Sequence, residues 1–452
     1  MQIAFLGATQ TVTGSRYLLT CGERRVLVDC GLFQGYQYLR LKNWSPPPFN
    51  PRDLDAVILT HAHLDHSGYL PLLVKRGFEG PIYATAATTQ LCRILLPDSG
   101  YLQEEQANFA NRHGFSKHHP ALPLYTEADA HRCLQQFQSV PFEKTLSPAP
   151  GVEAAFRHAG HLLGAASVRL DHAGVSVLFS GDLGRSSDPL MKAPAPPADC
   201  DYLVVESTYG DRIHATTDPQ AELRQAILRA HERGGNLLIP TSAVGRAQLL
   251  MLLIAQLQAA AAIPDIPVYL DSPMAIDATD LYVRFAAEHR LSAAQTQAMC
   301  RVAKLVRTAD ESKMLDRSRT PAIILAASGM ATGGRVVHHL KVFAPDPRHT
   351  ILFAGFQAGG TCGAELVAGA TQIRIHGESV PVKAEVAQLS CMSAHADANE
   401  LIAWLRQAPR VPKKVMVTHG EPAASDALRG RIQAELAWNV VVPEYRDQIE
   451  LP

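Results

Sequence analysis

The chain has 452 residues, 42 Lys+Arg against 43 Asp+Glu, a formal charge of -1, and a 47% share of hydrophobic residues. Such a length and composition exclude disordered and fibrous classes and predict about two to four folded domains. Near-neutrality argues against a protein that grips nucleic acid with its whole surface and leaves room for a local basic groove only.

The N-terminal MQIAFLGA alternates like a strand and has no basic segment ahead of its apolar run, so no signal peptide is expected and the expected compartment is cytoplasmic. Strand-like runs follow at Ile3 to Leu6, Tyr17 to Leu19, Val26 to Val28, Ala56 to Leu59, Val168 to Leu170 and Val175 to Phe179. Helical stretches at Tyr69 to Arg76 and Ala87 to Ile94 lie among them, which predicts sheets flanked by helices, an α/β class. After the Pro/Ala-rich KAPAPPAD at 192–199, helix and strand alternate from about Pro219. Helices are expected at Gln220 to Arg233, Ala243 to Ala260, Ala275 to His289 and Gly334 to Phe343. Strands are expected at Asn236 to Pro240, Val268 to Leu270, Ala322 to Ala326 and Thr350 to Ala354, a rhythm that predicts a parallel sheet covered by helices. A hairpin-like pair, TQIRIHG and VPVKAEVAQL, follows Gly369, then a helix over Ala398 to Arg406 and a strand at Lys414 to Val417. The longest apolar stretch, Leu249 to Ile263, is broken by Gln256 and Gln258 and falls short of the roughly 20 residues that span a bilayer, so no membrane association is expected. Eight cysteines without a CxxC read as scattered reduced thiols, so a metal site must draw on His and carboxylates.

Histidine is unusually frequent, 19 in the chain, and densest in His61-Ala62-His63-Leu64-Asp65-His66, directly after a strand. Four donors leave one sheet edge together. Alternate side chains of a turning loop point to different places, so two adjacent ions suit them better than one. All-His/carboxylate donors make zinc the first choice, with manganese or iron as alternatives.

THAHLDHSG resembles the HxHxDH signature of the metallo-β-lactamase fold. Gly160-His161-Leu162-Leu163-Gly164-Ala165 and Phe179-Ser180-Gly181-Asp182 resemble the segments supplying the next histidine and the bridging aspartate. Val205-Glu206-Ser207-Thr208-Tyr209-Gly210, Met392-Ser393-Ala394-His395-Ala396-Asp397 and Val417-Thr418-His419-Gly420-Glu421 look like motifs A, B and C of the β-CASP nucleases, which act in RNA processing. The resemblance implies an αββα metallo-β-lactamase sandwich in two parts, 1–210 and 371–452, with an α/β β-CASP domain at 211–370 inserted between them. It also implies single-stranded RNA lying in a cleft between the two domains. His61, His63 and His161 would hold one Zn2+; Asp65, His66 and His419 a second; Asp182 would bridge, with Mn2+ as an alternative metal. The histidine of motif C, His419, favours RNA over DNA.

Phosphodiester hydrolysis at such a site would use a metal-activated hydroxide that Asp65 orients, leaving 5′-phosphate and 3′-hydroxyl ends. His395 is the candidate general acid at the leaving 3′ oxygen, hydrogen-bonded to Glu206, which would raise its pKa. Phosphate-binding candidates are Ser328, Gly329, Gly334 and Arg335 in a glycine turn that opens a helix, Arg246 in a similar turn, and Ser393. Near TCGAELVAG relatives read TLGR, so Cys362 and Ala364 depart from the pattern. Tyr36 and Tyr209 are candidates for stacking bases, with structural roles as the alternative. His338 and His339 read as helix surface, His113, Lys117, His118 and His119 as a solvated loop, and Cys391 as a small buried thiol. A DNA-directed nuclease, a small-molecule ester or thioester hydrolase and a non-enzymatic RNA-binding scaffold are the competing readings. The last would show decayed ligands, and none is decayed. Oligomeric state and RNA-processing partners leave no mark in the sequence.

Overall fold

Burial alternates along the early strands as a half-exposed sheet requires. In Tyr17–Cys21 the side chains of Tyr17, Leu19 and Cys21 are buried, while Leu18 and Thr20 between them are half-buried. The computed structural model describes every residue of the chain except Phe115, Thr216, Phe356, Ser390 and Cys391. It divides into two compact units, Met1–Ile213 with His395–Pro452, and His214–Ala394.

The first unit holds two seven-stranded sheets. One runs, in spatial order, Gln448–Glu450, Gln2–Phe5, Tyr17–Cys21, Arg24–Val28, Ala56–Ile58, Ile82–Thr85 and Phe137–Val140. Its last four strands are parallel and the earlier pairs antiparallel. The other runs Val440–Val441, Lys414–Thr418, Tyr202–Glu206, Val175–Phe179, Ala166–His172, Val152–His158 and Thr145–Ala149. Phe5, Leu19 and Val28 from the first sheet share one core with Phe156, Val168, Val177 and Met416 from the second. Burying each such side chain contributes roughly 1.5–3 kcal/mol. Tyr17 stitches the layers: its ring lies 5.6 Å from Phe179, and its hydroxyl donates to Thr418 Oγ1 at 3.1 Å. With helices on the outer faces, this is the αββα sandwich. The expected helix over Ala87 to Ile94 runs much further, as Ala86–His113, and passes through Pro97. Pro97 itself is buried with Leu91, Cys92 and Leu96, so packing offsets the backbone bond that proline removes.

The second unit carries a six-stranded, all-parallel sheet ordered Lys304–Leu305, Val268–Asp271, Ile323–Ala326, Leu237–Pro240, Thr350–Phe353, Glu385–Gln388. Ile323–Ala326 and Leu237–Pro240 are buried throughout, as central strands covered on both faces must be. Two boundaries differ from expectation. VPVKAEVAQL is not one hairpin strand: Glu378–Pro381 pairs with Gln372–Ile375, whereas Glu385–Gln388 joins the parallel sheet beside Thr350–Phe353. The helix expected over Ala275 to His289 is Pro273–Arg284, capped by Ser272, and His289 donates to the Tyr282 carbonyl at 2.8 Å instead of continuing it. Among the described residues, no helix is long and apolar enough to cross a membrane.

Candidate metal centre

Ala56–Ile58 is a buried strand between two parallel neighbours, and the HAHLDH segment leaves its C-terminal end. The loop is held from behind by a carboxylate that the sequence reading passed over. Asp29, buried at the end of the adjacent strand, accepts from Thr60 N–H (2.8 Å), Thr60 Oγ–H (2.9 Å) and His66 Nδ1–H (2.7 Å). A carboxylate on Nδ1 orients the His66 ring with Nε2 towards the site, the usual support of a metal-binding imidazole. Its only sequence signal is an acidic residue closing the apolar run VLVDCG. Main-chain bonds complete the clamp: Ser15 N–H to Asp65 O at 2.8 Å, Cys30 N–H to His66 O at 2.7 Å and Leu32 N–H to Leu64 O at 2.9 Å.

The opposing sheet delivers the remaining groups from three neighbouring strand ends. Asp182 follows Val175–Phe179, Glu206 ends Tyr202–Glu206, and His419 follows Lys414–Thr418. His419 adopts φ +50° and is anchored by its N–H to Ala8 O at 2.7 Å. Short bridges between Gly160 and Leu183 and between Gly184 and His395 draw the His161 and His395 segments onto the Asp182 turn. Glu206 accepts from Leu183 N–H at 2.7 Å and Thr208 N–H at 3.2 Å, and from His395 Nδ1–H at 3.1 Å.

Among the described residues the geometry gathers three donor groups, of which Asp182, Glu206 and His419 form one that overlaps the other two. One donor atom from each of His61, His63, His161 and Asp182 lie within 4.8 Å of one another, and so do those of Asp65, His66 and His419. His66 Nε2 lies 3.1 Å from His419 Nε2 and 3.3 Å from Asp182 Oδ1. That Oδ1 is buried and, the His66 ion pair apart, has no hydrogen-bond partner among the described residues. A buried carboxylate oxygen without a hydrogen bond, ringed by imidazole nitrogens, is the environment a divalent cation completes. Burial, and then the charge of His66, hold His61 well below its ordinary pKa. Burial also pushes His63 down to about 4, so both keep lone pairs to offer at neutral pH. His395 behaves oppositely: burial opposes its charge, but Glu206, with Asp182 and Asp65 beyond, outweighs it and raises the pKa to about 9.

The phosphate candidates belong to the second unit, where two expected turns meet. Gly329 packs against the Thr241–Ser242 peptide, so the turns after Leu237–Pro240 and Ile323–Ala326 lie side by side. Ser328 Oγ accepts from Thr332 N–H at 3.3 Å and closes its own loop, and Gly334 starts the Arg335–Phe343 helix. Arg335 is turned inward: it pairs with Asp271 and donates to Val306 O at 3.0 Å and Arg307 O at 2.6 Å. Arg246 begins the Arg246–Ala259 helix, and Ser393 is buried. His339 departs from its expected surface position: it is fully buried between Asp271 and Asp316, while His338 on the next position is exposed. Tyr209 is buried with its ring 6.1 Å from that of His395. Cys391 lies outside the described residues.

Comparison with known proteins accords with this geometry. The Metallo-beta-lactamase superfamily matches residues 12–232, the Beta-Casp domain 247–366, and the Zn-dependent metallo-hydrolase RNA specificity domain 379–443. Ribonuclease TTHA0252 of Thermus thermophilus is 38% identical over 428 residues, covering 93% of each chain. Transcription termination factor FttA of Methanocaldococcus jannaschii is 32% identical over 444 residues, 93% of this chain and 67% of that one. FttA of Pyrococcus abyssi is 31% identical over 478 residues, 100% of this chain and 71% of that one. A solved structure of a protein of unknown function from Enterococcus faecalis aligns over 99% of both chains at a TM-score of 0.53 and 14% identity, a likeness of fold alone. The fold and the donor set thus define a metal-dependent hydrolase of the metallo-β-lactamase superfamily. Within it, the chain belongs to the β-CASP family.

Proposed function

We propose that the protein is a zinc-dependent ribonuclease that hydrolyses single-stranded RNA to 5′-phosphate and 3′-hydroxyl ends. The observation that carries this reading is the His395–Glu206 pair set beside two donor groups that converge on Asp182. His61, His63 and His161 would hold one ion and Asp65, His66 and His419 the second, with Asp182 shared between them. When bound, two Zn2+ ions, or Mn2+ as the alternative, supply Lewis acidity towards the phosphate oxygens and lower the pKa of the attacking water. Asp65 orients that water and takes its proton. His395, whose charged form the Glu206 carboxylate favours against the cost of burial, gives its proton to the leaving 3′ oxygen as the P–O bond breaks. Glu206 keeps the proton-bearing Nδ1 in place, so that Nε2 is the edge presented to substrate.

The RNA specificity domain match and the relative named a ribonuclease support RNA as the substrate class. In the second unit, Ser328, Gly329 and Gly334 with Arg246 and Ser393 would bind backbone phosphates, and Arg335 would hold their loop in shape through Asp271. We further propose the domain division 1–210, 211–370 and 371–452, and a cytoplasmic location. The test is cleavage of 5′-end-labelled and internally labelled single-stranded RNA and matched DNA by metal-loaded protein and by Asp65→Ala and His395→Ala. RNA should be cut, with a loss of about 10²- to 10⁴-fold in the His395 variant. A wild-type protein that holds two metals yet cuts neither nucleic acid would overturn the reading in favour of a small-molecule hydrolase.

A further inference from the structure

The helix Gln37–Lys42 in the first unit lies between aromatic residues that face water. Tyr36 is 49% exposed, Tyr38 64% and Trp44 52%, although each of these side chains favours burial. The rings of Tyr36 and Tyr38 stack on each other, with centroids 5.8 Å apart and planes at 17°. Beside them, Lys42 Nζ lies 4.3 Å from the centre of the Tyr445 ring, and Arg40 is exposed. The whole segment between Asp29 and Asp53 contains no acidic residue, in a chain whose charges otherwise balance. The segment is therefore π-rich and its own charges are all positive, the combination that suits a single-stranded polyanion whose bases need a face to stack on.

Its position follows from the clamp on the HAHLDH loop. Leu32 N–H bonds to Leu64 O, and Phe33 is pinned by Asn43 Oδ1 at 2.9 Å and Asn43 Nδ2 at 2.8 Å. Tyr36 is four residues beyond Leu32, so chain geometry keeps it within roughly 15 to 18 Å of that loop. We propose that Tyr36, Tyr38 and Trp44, with Arg40 and Lys42 as phosphate contacts, form a stacking platform for RNA nucleotides several positions away from the scissile bond. This rests on the ribonuclease reading and adds to it a binding surface outside the donor groups.

The platform predicts a length dependence. Tyr38→Ala/Trp44→Ala should raise KM for a long unstructured oligouridylate by about 10- to 100-fold, with kcat unchanged and kcat/KM for a tetranucleotide unchanged. Tyr38→Phe/Trp44→Phe should restore the long-substrate KM to within about threefold, since stacking needs the ring and not the hydroxyl or indole N–H. Photocrosslinking of 4-thiouridine RNA should label the peptide containing Tyr36 to Trp44. Wild-type cleavage with an unchanged long-substrate KM in the alanine variant overturns the platform and leaves the ribonuclease reading standing. Failure of the wild type to bind or cut RNA overturns both. If instead the alanine variant loses a concentration-dependent self-association while KM holds, the surface belongs to a second copy of the chain, and the RNA proposal is wrong.

Discussion

Replacing Gly31 by alanine tests the clamp behind the donor groups. A Cβ at this position would lie 1.6 Å from Asp65 O, 2.1 Å from Asp65 C and 2.7 Å from His66 N. A carbon–oxygen contact needs about 3.3 Å, so the two segments must separate by roughly 1.7 Å. That movement breaks or lengthens the main-chain bonds from Ser15, Cys30 and Leu32 to the 64–66 segment. At about 1 kcal/mol each, with about 1–3 kcal/mol for overpacking, the expected loss of stability is about 4–6 kcal/mol. Because Asp65 and His66 ride on the displaced segment, metal affinity should also fall, by about 10- to 100-fold. Thermal melting and metal content after equilibrium dialysis read the two effects. Gly430→Ala, on the helix Pro422–Leu436 with nothing within 4 Å of the added carbon, is the control and should stabilise slightly. A Gly31→Ala protein with wild-type melting and full metal content would refute the close packing argued for this loop.

Three further outcomes are expected. Asp29→Asn, which removes the carboxylate behind His66 and Thr60, should weaken metal binding by about 10- to 100-fold while the protein stays folded; unchanged affinity in a competition titration would contradict the role given to Asp29. Chelation should lower the melting midpoint, and added zinc should raise stability by about 4 kcal/mol at a thousandfold excess over Kd; a midpoint independent of zinc would count against a cation among these donors. Burial disfavours the charge on His339, but Asp271 and Asp316 outweigh it and raise the pKa to about 9, above the ordinary 6.5. A raised folded-state pKa contributes stability that is complete below pH 6.5 and lost as pH rises through about 9, here about 3 kcal/mol. The wild type should therefore lose stability across that window, and His339→Gln should be less stable at pH 6 and lose about 3 kcal/mol less across it; parallel pH curves for the two proteins would exclude the mechanism.

Most of the donor set is legible in the chain because metal ligation is local chemistry. His61, His63, Asp65 and His66 fall within one hexapeptide, and the groups at 161, 182, 395 and 419 each follow or precede a recognisable apolar run or polar turn. Asp29 escaped because nothing next to it in sequence identifies its partner: His66 is 37 positions away. Arg335 and His339 read as surface or ligand-facing for the same reason. Their partners Asp271 and Asp316 belong to other elements, and a helical period cannot say which polar residue a neighbouring strand or helix will meet.

What the sequence by itself determined is the succession of apolar runs and polar turns, hence the α/β class, the parallel inner strands and the residue types able to hold a divalent ion. Tertiary structure decided that the helix starting at Ala86 continues through Pro97, that Glu385–Gln388 leaves its hairpin for the parallel sheet, and that His339 is buried while His338 is exposed. Local pattern records how a segment can fold, but burial depends on which other surface covers it. That pairing is set by contacts between residues far apart in the chain, whose free energy no short window of sequence contains.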